Sequence, residues 1–503
     1  MVDKLPNEIL HEILRYIEED TKTLFSLLLV NRLWCENSVL TLWKNPFKLE
    51  NNYKILLPLL SCYYNKNNKE EPDIKYLKEL NLINRSTFNY PSFIKQLEIR
   101  NMLSMIFTLA ENFNLNNSSI IQIIWNMIIN NSKIETLTIN TKNSISSRDL
   151  HWPLKTFKSF FKITETKICF SIMKKLTFKL NLPDLSILSD LIECTNGRIK
   201  EIELEISNSK SNITYPNLDN VINLIKSQKK LEKFTYKDLS RNLSIQPIIT
   251  ELKDHSCTMK ILNFEQRCDI DVDDLFSNLK IFYNIQELSF RNFTFEGNHE
   301  LLTNIKFSQL KSLSLDGITS RNQRYLAYIS EPIINLIQNH SDNLEHLNIK
   351  MTDVIMKDTF KTISLCCSNL QSFSCSTSDQ NDMTFIYSIF KNNPHLTSID
   401  LCIIFPIRNS FLTKFANEIP NTINYIAIGY SILRKENIKT FLQGLNCKKL
   451  KSFKFNWQNQ KNVNISEIVK NVTKDKDWGN RCTFEECELG LANYQHTCIF
   501  KWE

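Results

Sequence analysis

The sequence predicts an α/β protein in two parts. An N-terminal three-helix unit is followed by a solenoid of stacked strand–loop–helix units, with a parallel sheet on its concave face and helices on its convex face. Three observations predict this. The chain has 503 residues, and a single core stops growing near roughly 250–300 residues. One phrase, apolar-x-x-apolar-x-apolar, recurs along most of the chain. The N-terminal residues carry instead an apolar stripe at helical spacing.

Composition narrows the function classes. Apolar residues make up 42% and charged residues 23%, the balance of a folded chain. There are only 7 glycines, at Gly197, Gly297, Gly317, Gly429, Gly444, Gly479 and Gly490. They lie too far apart for a glycine-rich phosphate loop or a nucleophile elbow. The net charge of +7 is spread and mixed in sign, and the lysine-rich run 226–230 is interrupted by Ser227 and Gln228. That reads as a solvated helix face rather than a nucleic-acid footprint. Fourteen cysteines occur without any C-x-x-C, and the first residues carry charges instead of a secretory leader. These features fit a reducing compartment, cytoplasmic or nuclear. No apolar run approaches the roughly 20 residues of a membrane span.

Residues 5–17 read L-P-N-E-I-L-H-E-I-L-R-Y-I. Pro6 suits a first helical position and Glu8 the first turn. Ile9, Leu10, Ile13, Leu14 and Ile17 form one apolar stripe at helical period. A second apolar block spans 24–30, and a third carries Leu33, Trp34, Val39, Leu40, Leu42 and Trp43 before Pro46. So small a unit holds more apolar side chains than it can bury alone, so something else must cover some of them. His11-Glu12 begins like a zinc-binding H-E-x-x-H, but Arg15 stands where the second His would be.

The strings LPNEILHEILRYI, LFSLLLVNRLW and LW-x-x-P, over residues 5–46, resemble the F-box. Asn31 stands where that family often has Cys. The resemblance implies docking on a Skp-family adaptor, and through it a cullin scaffold and a RING ubiquitin ligase. By motif position it implies adaptor contact at Leu5, Pro6, Ile9, Leu10, Ile13, Leu14, Leu27, Val30 and Trp34. Leu10, Ile13 and Leu14 are then expected to be partly exposed until the adaptor covers them.

Beyond residue 47 the recurring phrase sets the architecture. Copies begin at Met173, Ile199, Leu231, Met259, Ile285, Leu310, Leu344, Leu370, Leu396, Ile423 and Leu450, in steps of 25 to 34 residues. The last three positions alternate in, out, in, as a short strand does. Amphipathic stretches at 185–192, 221–225, 333–337, 360–365, 385–390 and 438–442 read as the helices between them. No unit can bury its apolar face alone, so units stack and successive strands are expected to pair in parallel. The pattern resembles the leucine-rich repeat in its 26-residue style. The Asn or Cys that usually follows the strand is mostly missing, and Phe, Ile and Met replace many leucines.

The expected divisions are 1–47 for the F-box, 48–170 for a linker and irregular first repeats, 171–458 for the repeats and 459–503 for a C-terminal cap. In the irregular segment, copies at Ile94 and Ile134 lie 40 residues apart. Further strands are expected at Leu77 and Leu154, and exposed loops at 114–119 and 141–148. After Phe455, residues 465–472 read as a last helix, and 481–502 as a hairpin covering the final repeat.

No local motif argues catalysis. Cys482, Cys487, His496 and Cys498 match no zinc spacing, and Cys366-Cys367 reads as a buried pair. No cofactor or metal is expected, and no nucleic-acid or membrane partner. The out-facing strand residues suggest what does bind. In the first half, Lys175 and Lys179, then Glu201, Glu203 and Glu205, then Lys233 and Lys237 form alternating charged rows that can pair laterally. Farther on, small and polar residues dominate. The target site is therefore expected around Ser314, His346, Asn348, Ser374, Asp400 and Tyr425, with the polar segment 114–148 as the competing site. The expected function is a substrate-recognition subunit of a Skp–cullin–F-box ligase. The alternative is a ligase-independent scaffold built on the same repeats.

Overall fold

The computed structural model describes residues 6–48, 52–66, 87–140, 163–181, 187–207, 218–238, 245–266, 269–296, 305–320, 326–351, 356–405, 407–433, 435–447, 450–458, 482–488 and 495–502, with 161, 185 and 469 besides. The chain divides into two compact units, Met1–Ser240 and Arg241–Glu503.

The first unit opens with three short helices, α1 (Asn7–Tyr16), α2 (Thr21–Leu27) and α3 (Arg32–Leu42). Pro6 sits one position earlier than expected, at the N-cap of α1. The Asp20 carboxylate caps α2, accepting the Thr23 N–H at 3.1 Å and its hydroxyl at 2.6 Å. Asn31 caps α3 by accepting the Trp34 N–H at 3.0 Å, which gives the departure at this position a local purpose. Leu10, Leu14 and Leu24 form the core of this bundle, with Ile17, Leu27, Trp34 and Leu42 packed against them.

Next come α4 (Leu56–Lys66), β1 (Gln96–Glu98), α5 (Ile99–Phe113), α6 (Asn117–Asn131) and β2 (Thr136–Asn140). Two fifteen-residue helices between β1 and β2 account for the long first step. The loop expected at 114–119 is instead a tight junction. Asn114 turns the chain in the left-handed region (φ 51°), and Asn116 caps α6 by accepting the N–H groups of Ser118 and Ser119. α6 then buries Ile121, Ile124, Trp125 and Ile128. The unit continues with α7 (Thr164–Cys169), β3 (Lys175–Asn181), α8 (Ile187–Thr195), β4 (Glu201–Ser207), α9 (Asp219–Ser227) and β5 (Lys233–Asp238). Its sheet runs β1-β2-β3-β4-β5, all parallel.

The second unit contains α10 (Gln246–Leu252), β6 (Ile261–Gln266), β7 (Asp269–Asp271), α11 (Val272–Leu279), β8 (Glu287–Arg291), β9 (Thr294–Glu296), β10 (Ser312–Ser320), α12 (Leu326–Gln338) and β11 (His346–Met351). It ends with α13 (Lys357–Cys366), β12 (Ser372–Thr377), α14 (Met383–Asn392), β13 (Ser398–Ile403), α15 (Asn409–Glu418), β14 (Tyr425–Leu433), α16 (Lys435–Gly444), β15 (Ser452–Gln458), β16 (Cys482–Glu488) and β17 (Gln495–Trp502). Strands β6, β8, β10, β11, β12, β13, β14 and β15 pair in that order, in parallel. This is a leucine-rich-repeat-like solenoid, and within each unit the recurring phrases lie side by side in sequence order. β7, β9 and the end of β10 make a short second ribbon. β17 pairs antiparallel with β15 and β16 with β17, the backbone pairing of the expected terminal hairpin. Residues 67–86 and 141–160, with the strands and loop expected there, lie outside the described residues, as does all of the expected helix 465–472 except Val469.

Two devices join the repeats. Within each unit, the carbonyl just before a repeat strand accepts two N–H groups from the repeat that follows it: Lys174 and Lys175 donate to Glu135, and Glu345 and His346 to Lys311. Buried polar side chains replace the missing asparagines, but ahead of the strand. Gln228 accepts the Ile199 N–H at 3.0 Å and donates to the Leu224 carbonyl at 2.9 Å. Asn393 accepts the Leu370 N–H at 2.7 Å and donates to the Ile389 carbonyl at 2.8 Å. His340 accepts the Phe307 N–H on Nε2 at 2.7 Å, with Nδ1 2.6 Å from the Leu336 carbonyl. Each satisfies a buried backbone donor that would otherwise lack a partner. Where Phe replaces Leu, the rings stack, from one repeat to the next in Phe415–Phe441 at 5.5 Å and from the last repeat strand to the terminal hairpin in Phe455–Phe500 at 6.0 Å.

Candidate protein-binding surfaces

The first candidate surface is the outer side of the N-terminal helices. On α1 the apolar stripe splits lengthwise. Leu10 and Leu14 turn inward and are fully buried, whereas Ile9 and Ile13 turn outward, 49% and 36% exposed. Tyr16 continues the outer row at i+7 and is 83% exposed. Phe25, Leu29 and Val30 are exposed at the end of α2 and just after it. Leu10 and Leu14, expected to be partly exposed, are therefore corrected to core residues, because α2 and α3 cover them. Leu27 and Trp34 are half-buried against the same core, and Pro6 is exposed. Leu5 lies outside the described residues. Sequence reasoning did not single out the exposed Tyr16, Phe25 and Leu29, although the spacing of Tyr16 from Ile9 and Ile13 was a usable signal.

The second candidate is the open face of the sheet in the second unit, away from its helices. Parallel register aligns Ser314, Asn348, Ser374, Asp400 and Ala427 in one row across five strands. His346, Ser372, Ser398 and Tyr425 form the row beside it. All six expected target-site residues thus share one face. Three are engaged within the chain: Asn348 donates to the Ser314 hydroxyl at 3.0 Å, and Lys350 donates to Asp400 at 2.6 Å. Charges are present here too, but they are matched. Arg291 lies between Glu265 (3.6 Å) and Asp316 (3.2 Å). The floor is small. A Cβ on Gly429 would stand 3.3 Å from the Cys402 Sγ, and burial pushes that thiol up to about 11, so it stays protonated at neutral pH. Burial also raises the Tyr425 hydroxyl, helped by nearby Asp400.

The sheet of the first unit is closed electrostatically, as its charge pattern implied. Glu203 lies 3.1 Å from Lys175 and 3.2 Å from Lys233, and Lys179 reaches Glu205 at 3.8 Å. Burial opposes the charge on Glu203, but the two lysines outweigh it and hold its carboxyl below the usual range.

Among the described residues, no group of three His, Cys, Asp or Glu side chains is placed to hold a metal ion, and no helix is long and apolar enough to cross a membrane.

Comparison with known proteins agrees with the N-terminal geometry. The family model described as F-box-like matches residues 2–49. No curated protein matches the chain. Among solved structures, the chain is similar to one in the crystal structure of the yeast Rad7 and Elc1 complex. The identity is 15% and the TM-score 0.41, over 80% of this chain and 94% of that one. It is also similar to a leucine-rich-repeat protein of Leptospira interrogans at 10% identity and TM-score 0.32, over 78% and 91% of the two chains. The chain thus has an F-box-like domain at residues 2–49, followed by repeats of the leucine-rich type.

Proposed function

We propose that this protein is a substrate-recognition subunit of a Skp–cullin–F-box ubiquitin ligase, acting in the cytoplasm or nucleus. The F-box-like domain binds a Skp-family adaptor, and through it the cullin. The open sheet face of the second unit holds a target protein. The chain itself is a non-catalytic adaptor that raises the concentration of its target beside the ubiquitin-carrying enzyme.

The observation that carries this reading is the outward row Ile9, Ile13 and Tyr16 on α1. The bundle already has its own core in Leu10, Leu14 and Leu24, so the outer row does not serve the fold. Fully burying an exposed isoleucine contributes roughly 1.5–3 kcal/mol, and covering the half-exposed Ile9 and Ile13 contributes part of that. The test is co-purification of the full chain with a Skp-family adaptor, which the proposal requires. A chain that captures its target but never an adaptor would be the ligase-independent scaffold instead.

A further inference from the structure

The Lys44 carbonyl, just beyond the end of α3, accepts the N–H groups of Lys95 at 3.0 Å and Gln96 at 2.9 Å. Lys95 immediately precedes β1 and Gln96 opens it. The same two-donor rung joins the repeats that follow. The Lys95 carbonyl takes Glu135 at 2.8 Å and Thr136 at 3.1 Å, and the Glu135 carbonyl takes Lys174 at 2.9 Å and Lys175 at 3.1 Å. Lys44 therefore stands where a repeat ahead of the first would stand.

Side chains complete the junction. Asn45 donates to Gln96 at 3.2 Å and to Glu98 at 2.9 Å, both on β1. Asn101 on α5 donates to the Phe47 carbonyl at 2.9 Å, and Phe47 is itself fully buried. The Trp43 ring packs on Tyr90 with centroids 4.3 Å apart. From the other side, the Lys44 ammonium lies 2.7 Å from Glu18, beyond the end of α1.

A solenoid must satisfy its terminal strand, since an open edge leaves backbone groups unpaired and exposes the end of the core. From the rung and its side chains we infer that the F-box-like domain has a second function: it is the N-terminal cap of the repeat array, supplying the rung on which β1 and β2 are built. This goes beyond adaptor docking and holds whether or not an adaptor binds. It uses the Lys44–Phe47 side of the domain and leaves the Ile9 and Ile13 row free. The domain is thereby fixed to the first repeat rather than tethered to it.

Amide hydrogen exchange on the full chain tests the cap. In Asn45→Ala/Asn101→Ala, exchange in peptides covering 94–99 and 135–140 is expected to be about tenfold faster than in the parent chain, with peptides covering 372–377 and 398–403 unchanged. Ile13→Asp, on the outward row, is expected to leave all four regions at parent rates. The milder Asn45→Ala alone gives the same pattern at smaller amplitude, and is read in its place if the double variant does not fold. Parent-like exchange at 94–99 and 135–140 in both asparagine variants would overturn the cap. Adaptor co-purification with Asn45→Ala, measured in parallel, keeps the outcome separate from the ligase proposal.

Discussion

Lys350 and Asp400 meet across a strand that separates them. Nζ lies 2.6 Å from Oδ2, although β12 runs between β11 and β13. Adjacent strands are about 4.8 Å apart, so the lysine spans roughly twice that. It can do so because β12 presents Ser374 and Ser376 there, the latter tucked onto the Met351 carbonyl at 2.6 Å. Burial disfavours the ammonium, but the bond to Asp400 outweighs it and raises the lysine above its usual range. The side chains are 20% and 29% exposed, so the pair belongs between exposed and buried classes. Replacing Lys350 with Met and Asp400 with Ala, singly and together, is expected to give a coupling of about 1–2 kcal/mol in urea unfolding. Additive effects would mean that the pair contributes nothing.

The split stripe on α1 separates binding from folding. Ile9→Asp/Ile13→Asp is expected to abolish adaptor co-purification while leaving the circular dichroism of the chain unchanged. Leu14→Asp buries a carboxylate in the bundle core and is expected to unfold it, at a cost of several kcal/mol. Adaptor binding by the Ile9/Ile13 variant at parent level would reject that face as the docking surface.

Target capture should depend on the serine face. Arg at Ser374 or at Asn348 places a long cation over the row and is expected to weaken capture at least tenfold, with adaptor binding intact. The competing site now has a narrower test, because residues 117–131 form a buried helix whose removal would collapse the first unit. Trimming only 141–148 tests the rest of that polar segment. If that abolishes capture while Ser374→Arg does not, the serine face is not the target site.

His340 should make the second unit sensitive to acid. Burial disfavours the imidazolium and lowers the folded-state pKa, against the pull of the Leu336 carbonyl. Moreover, Nε2 accepts the Phe307 N–H and cannot do so once protonated. The unfolded chain therefore binds the proton more readily. This contribution to stability is full above the ordinary histidine value of about 6.5 and is lost as pH falls from there through the lower folded value. His340→Gln, which copies the two-ended bond of Gln228, is expected to keep the fold and flatten that dependence by up to ~1.4 kcal/mol per pH unit. Identical pH–stability curves for the two proteins would remove His340 from the account.

Much of the fold was legible because it is written at short range. The α1 stripe, the strand alternation and the near-constant step between phrases need only local periodicity. Burying each apolar face then forces stacking, which follows from the repeat itself. The first repeat was harder to read, since α5 and α6 take the place of the usual single helix and Asn114 and Asn116 resemble loop residues until their capping roles are seen. Of the two candidate surfaces, the sequence supplied the residues but not their state. It grouped Leu10 with Ile9, and it treated Asp400 as available.

What the sequence by itself determined is the order of parts: an F-box-like bundle, then strand and helix units that cannot stand alone. What only the tertiary structure decided is which side of each element remains for a partner, and how the parts are joined. A period of 3.6 marks an apolar stripe, but it takes α2 and α3 to cover Leu10 and leave Ile9 in water. The Lys350–Asp400 pair joins residues fifty positions apart, and the Lys44 rung uses a backbone carbonyl, which every residue carries. Neither leaves a mark in local composition, because both arise from strands brought side by side by packing.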